Sequence, residues 1–168
     1  MSDEQDRKAV TADESHDAHG ASVAAIFDRN DVRDTFRISY LANKLVLPVY
    51  DDVKRLHGLS RGEYLLIFCL SYVDELTAQD VADVTGRPRN SISRAVHRML
   101  DEGFLTRSPD PDDGRQALLR LTSKGRRLHN KIIPRFEERQ SDLLSALNAE
   151  EREQLDYLLS KLVRNASE

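Results

Sequence analysis

The sequence has little that would suit it to export, anchoring or crosslinking. Its 168 residues include one cysteine, Cys69, so no disulfide can close within the chain. That usage fits a reducing compartment such as the cytoplasm. No apolar run approaches the roughly 20 residues that cross a bilayer as a helix. Residues 1–20 are polar and acidic with no apolar segment, so they do not read as a secretory signal. They are expected to form a disordered tail. His16 and His19 flank Asp17 there, but nothing nearby would fix a metal geometry. Catalytic patterns are also missing: no glycine-rich phosphate loop, no zinc-ligand spacing, no Ser/His/Asp arrangement. The five histidines (16, 19, 57, 97, 129) are scattered. A cytoplasmic protein without catalytic site, metal, cofactor or membrane contact is the expectation.

The net charge of −4 by itself argues against a polyanionic partner. Its distribution argues the other way. Between Gly86 and Arg127 stand ten Lys/Arg and five Asp/Glu, a local charge of +5, which leaves −9 for the rest. A basic centre in an acidic frame is the footprint of a local nucleic-acid site, although a solvated charged face would look similar.

Apolar steps of three and four predict a helix over 31–57 (Ile38, Leu41, Leu45, Val49, Val53, Leu56), bent at Pro48. Ser60-Arg61-Gly62-Glu63 has the pattern of a capping box, and the helix it opens is apolar on nearly every side, which places it in a core. Thr77 to Asp80 repeats the start signal for a short helix over 78–84, broken at Thr85-Gly86. Pro88 suits the first turn of another helix, which Gly103 ends. After Gly103 the period changes. Phe104 to Arg107 reads as extended, residues 109–114 are dense in turn formers, and Ala117, Leu119 and Leu121 alternate on a returning strand. Helix resumes at Ser123 with Leu128, Ile132, Phe136, Leu143 and Leu147, bent at Pro134. Asn148 to Glu151 caps a last helix bearing Leu155, Leu158, Leu159 and Leu162.

Two short helices, a tight turn and a β-hairpin follow winged helix-turn-helix order. The second helix carries Ile92, Val96, Met99 and Leu100 on one face and Asn90, Arg94 and His97 on the other. Ser91, Ser93 and Arg98 flank that outer face, with Arg89 in the first turn and Arg87 just before it. Arg reads guanine, Asn reads adenine, and Ser permits close approach of the backbone. The acids wait until Asp101 and Glu102, where they do not repel phosphates from the helix start. Arg107 and Arg115 bracket the hairpin tip, within reach of phosphate or a narrow minor groove, and Asp113 is placed to orient Arg115.

From about Arg33 to Arg164 the sequence resembles the MarR family of bacterial transcription regulators. The elements that carry the likeness are Asn90-Ser91-Ile92-Ser93-Arg94-Ala95-Val96, then Leu100-Asp101-Glu102-Gly103-Phe104-Leu105-Thr106-Arg107. Asp110-Pro111-Asp112-Asp113-Gly114-Arg115 and Leu119-Arg120-Leu121-Thr122-Ser123-Lys124-Gly125 complete them. Where the family's wing reads Asp-x-Arg-Asp-x-Arg, Asp112 replaces the first arginine, which removes one expected wing contact to DNA. The resemblance implies a mainly helical fold with a hairpin wing. It divides the chain into an N-terminal dimerisation helix (31–57), a winged helix-turn-helix (60–122) and C-terminal dimerisation helices (123–164). It implies a homodimer on double-stranded DNA, acting as a ligand-responsive repressor at a pseudo-palindromic operator. It also implies a pocket for a small aromatic or phenolic effector, for which Tyr40, His57 and Tyr64 are candidates by placement. Two other readings stand beside it: a regulator that senses oxidant through Cys69, and a helical protein-interaction adaptor.

Overall fold

The computed structural model describes residues 25–111 and 116–166. Two compact units divide the chain, Met1–Lys44 and Leu45–Glu168. Helix α1 (Arg33–His57) begins in the first and ends in the second. Within the first, Phe27 meets Tyr40 edge-on at 4.9 Å and Phe36 at 5.3 Å. Phe36, Ile38, Tyr40 and Leu41 nevertheless remain 41–55% exposed. The acidic residues 1–20, with His16 and His19, lie outside the described residues.

In the second unit the start signals act as the sequence predicts. Helix α2 (Arg61–Tyr72) opens on the Ser60 capping box, and α3 (Ala78–Thr85) opens on Thr77, with Thr77 N donating to Asp80 at 2.8 Å and Asp80 N donating to Thr77 Oγ1 at 3.1 Å. Helix α3 stops at Gly86, whose φ of 62° lies in the left-handed region that a side chain disfavours. Helix α4 (Arg89–Asp101) starts after Pro88, whose carbonyl accepts from Ser91 N and Ile92 N. Strands β1 (Leu105–Pro109) and β2 (Ala117–Leu121) pair antiparallel, Leu105 facing Leu121 and Pro109 facing Ala117. Pro109 thus closes a strand instead of opening the turn, a position where its missing N–H costs little. Leu76 also exchanges both backbone hydrogen bonds with Leu119, so the segment before α3 adds a bridge to β2 that periodicity did not reveal.

Helix α5 (Ser123–Leu144) is capped by Thr122, whose hydroxyl accepts from Gly125 N at 3.1 Å. A Cβ at Gly125 would stand 2.6 Å from the Phe104 carbonyl oxygen and against Leu121, so only glycine lets α5 leave the wing this closely. Helices α1 and α5 run through Pro48 and Pro134. Helix α5 ends before Leu147, which falls in the turn instead of continuing the stripe. The Asn148 box then opens α6 (Ala149–Ala166), with Glu151 N donating to Asn148 Oδ1 at 3.0 Å.

The core gathers Val49 and Val53 of α1, Leu66, Ile67 and Leu70 of α2, Val81 of α3 and Ile92 and Met99 of α4, closed by Leu105, Leu119 and Ile132. Helix α2 is not buried to its end: Tyr72 and the following Val73 are exposed beside an open apolar cleft of about 420 Å³. Helix α6 buries no residue. No helix among the described residues is long and apolar enough to cross a membrane.

Candidate nucleic-acid interface

Helix α4 divides as its sequence divides. Ile92, Ala95, Val96 and Met99 are buried, whereas Arg89, Asn90, Ser93, Arg94 and His97 are exposed and Ser91 is half-buried. No acid stands in the first turn. The helix N-terminus, with its free N–H groups and positive partial charge, therefore adds to Arg89 and Arg94 in favouring an anion. Arg87 departs from this set. It is half-buried, its Nε lacks a hydrogen-bond partner, and it lies 3.9 Å from where a Cβ would stand at Gly62.

The wing brings a third cation, beside Arg89. Arg107 of β1 is exposed, and with Arg89 it lines a cleft of about 210 Å³ that also takes in Thr77, Gln79 and Gln116. The glutamines of this cleft carried no signal in the sequence, because the Leu76–Leu119 bridge is what sets α3 against β2. Asp113 and Arg115 fall outside the described residues.

The ten basic residues of the central stretch are not equivalent. Arg120 pairs with Glu75, Lys124 Nζ donates to Glu102 O at 2.6 Å, and Arg126 donates to Ser71 O at 2.8 Å. Arg98 is the most heavily engaged. Its Nη1 lies 3.0 Å from both carboxylate oxygens of Glu63, and its Nε donates to Glu102 at 2.7 Å. Glu63 is only 6% exposed and also accepts from Ser60 N at 2.6 Å. The Ser60 box was legible in the sequence; its acid doubling as a partner for Arg98, 35 positions away, was not.

The three effector candidates stand in different surroundings. Tyr64 is 1% exposed inside an aromatic cluster, stacked on Phe136 at 5.3 Å and on His129 at 6.3 Å. Its hydroxyl and His129 Nδ1 are both buried without a hydrogen-bond partner. Burial, reinforced by Tyr50 and Tyr72, pushes the Tyr64 phenol well above its ordinary 10. Burial, reinforced by Arg126, holds His129 below 6.5. His57 is exposed at the end of α1, in a narrow cleft with Asp52, Lys131 and Arg135. Tyr40 belongs to the first unit, where Lys44 Nζ stands 5.6 Å from its ring. Cys69 is half-buried beside Phe68 and Tyr72 in the apolar cleft, and burial pushes its thiol up. A peroxide-sensing thiol needs the opposite shift.

Comparison with known proteins agrees with this arrangement. The family model described as the MarR family matches residues 57–116. The HTH-type transcriptional regulator BilQ of Clostridium symbiosum is 30% identical over 105 residues, 62% of this chain and 73% of that protein. The homoprotocatechuate degradative operon repressor of Escherichia coli is 23% identical over 133 residues, 79% of this chain and 90% of that one. A crystal structure of a MarR/EmrR family transcriptional regulator from an Acinetobacter species superposes with a TM-score of 0.69 at 27% identity, covering 81% of this chain and 96% of that one. These relatives are regulators, not enzymes, and their likeness extends well beyond the hairpin and the two helices before it. The chain therefore belongs to the MarR family and is a DNA-binding transcriptional regulator of winged-helix fold.

Proposed function

We propose that this regulator is a ligand-responsive repressor that binds a pseudo-palindromic operator as a homodimer. The observation that carries the DNA reading is the outer face of α4, where Asn90, Arg94 and His97 follow one another at helical spacing. Among the described residues neither Arg89 nor Arg94 has an internal hydrogen bond or ion pair. In this reading Arg89, Asn90, Ser91, Ser93 and Arg94 read or approach base edges in the major groove. His97 lies further along the same face. Arg107 holds backbone or minor groove, together with Asp113 and Arg115 at the wing tip.

Helix α6 supports the dimer. Tyr157, Leu158, Leu159, Leu162 and Val163 are 48–64% exposed on an amphipathic helix of 18 residues. An isolated helix of this length is marginal in water, so its stability comes from covering that stripe. Residues 31–57 and 123–164 of two copies are the natural partners, and a twofold dimer places its half-sites about 34–36 Å apart. The repressor role follows the relative named for repressing a homoprotocatechuate degradative operon. The unpartnered Tyr64 Oη and His129 Nδ1, in an aromatic cluster, support a small aromatic or phenolic effector.

The test is binding of the purified protein to its own upstream DNA at several salt concentrations, with Arg94→Ala alongside. Specific, salt-sensitive binding that the variant loses by about 1–3 kcal/mol is expected. Absence of binding at low salt, both to that fragment and to random-sequence pools, would overturn the proposal. Homoprotocatechuate is then a first probe for release of the bound DNA.

A further inference from the structure

We infer that Arg98 is not a DNA contact but half of an internal clamp, and that Glu63 is a positioning residue that fixes the rotation of the reading helix α4. The inference rests on α4 being the base-reading helix. Three observations carry it. Glu63 is a carboxylate only 6% exposed, far from ordinary for an acid in a helical first turn. Both of its oxygens are engaged: Ser60 N donates to one at 2.6 Å, and Arg98 Nη1 sits 3.0 Å from each. Arg98 Nε is turned to Glu102 at 2.7 Å, so two of the three guanidinium nitrogens each face a carboxylate. A phosphate could take Nη1 from this pair only by leaving Glu63 buried and unpaired.

The first turn of α2 touches α4 at a second point. A Cβ at Gly62 would stand 3.8 Å from Ser91 Oγ and 3.9 Å from Ala95 Cβ. Glu63 therefore grips α4 at position 98 while Gly62 lies against positions 91 and 95, spanning two turns of the helix. A rotation of α4 by about 20° moves atoms at its side-chain radius of roughly 5–6 Å by about 2 Å. That breaks a 3.0 Å hydrogen bond, whose strength falls steeply with length and angle. The same rotation would carry Asn90 and Arg94 off their base edges. Glu63 thus couples the capping of α2 to the register of the outer face of α4 without touching DNA.

Glu63→Gln and Arg98→Met test this in the full-length protein. Gln at the third helical position still accepts from Ser60 N, so the start of α2 is kept. The probes are a duplex selected by the wild type from a random pool and an unselected duplex of equal length, both measured at several salt concentrations well below the melting temperature. Simple electrostatics predicts that losing the Glu63 charge tightens binding to any DNA. A positioning role predicts the reverse: about tenfold weaker binding to the selected duplex, unchanged binding to the unselected one, and an unchanged salt slope. Arg98→Met is expected to behave alike, and the double variant to be no weaker than the weaker single one. Selected-site affinity equal to or above wild type in folded Glu63→Gln would overturn the inference. So would a salt slope reduced by about 1 in Arg98→Met, the mark of a phosphate contact. Failure of the wild type to select any sequence would instead sink the reading of α4, and the inference with it.

Discussion

Leu66 and Leu162 are both leucines on helical apolar stripes, yet Leu66 is 0% exposed and Leu162 is 55% exposed. Leu66 lies in the lobe formed by α2 to β2, where α2, α3, α4 and the hairpin enclose one another's apolar faces. Leu162 lies on α6, which buries nothing. The lobe meets its need for burial from its own short elements together with Val49 and Val53 of α1 and Ile132 of α5. Helix α6 has an equally regular pattern, but Leu158, Leu159 and Leu162 stay exposed. The difference shows that periodicity says which face of a helix wants cover and not where the cover comes from.

That comparison can be broken from either side. The largest effect is expected of Gly125→Val, because the new Cβ meets the Phe104 carbonyl, a backbone group that cannot move aside. Circular dichroism and thermal melting should show a lobe that does not fold cooperatively. Leu66→Ala should leave a cavity and lower stability by about 2–5 kcal/mol, with little dependence on protein concentration. In α6, Leu158→Asp combined with Leu162→Asp should do the reverse. Sedimentation should find a monomer whose lobe still melts cooperatively, and operator affinity should collapse because the half-sites are no longer linked. If that double variant stays dimeric, the account of α6 is wrong. Asn148→Ala removes the acceptor for Glu151 N and should cost about 1 kcal/mol, seen as a lower melting temperature of the protein.

The smallest effect separates the two regions by pH. His129 of α5 lies against the α2 aromatics and is held below 6.5 by burial and by Arg126. Between its folded value and 6.5 the unfolded chain binds a proton that the folded chain does not. Stability therefore falls as pH drops through 6.5, and the loss levels off below the folded value. The wild-type melting temperature should decline from pH 7.5 to 5 more steeply than that of His129→Gln. Equal slopes would remove His129 from the account.

Much of the site was legible in the sequence because it depends on neighbours along the chain. The Ser60, Thr77 and Asn148 boxes, the Gly86 turn and the two faces of α4 are matters of positions three and four residues apart. What was not legible depends on residues far apart. Arg98 reads as one more basic residue flanking the outer face, and only the fold shows Glu63 against it. Arg87 has the same residue type as Arg89 and turns inward instead. Tyr40, His57 and Tyr64 were joined by their place in the first two helices, and packing puts Tyr64 in an aromatic cluster and His57 at the surface.

By itself the sequence determined where the helices begin and end, the outer set Arg89, Asn90, Ser93 and Arg94, and the hairpin that follows. Those features rest on local hydrogen bonds and on a 3.6-residue period. Only the tertiary structure decided which cations of the central stretch are paired within the fold, how the Leu76 segment joins the wing, and which acid pairs with Arg98 of α4. A charge finds its partner through space, and 35 residues of chain separate Glu63 from Arg98.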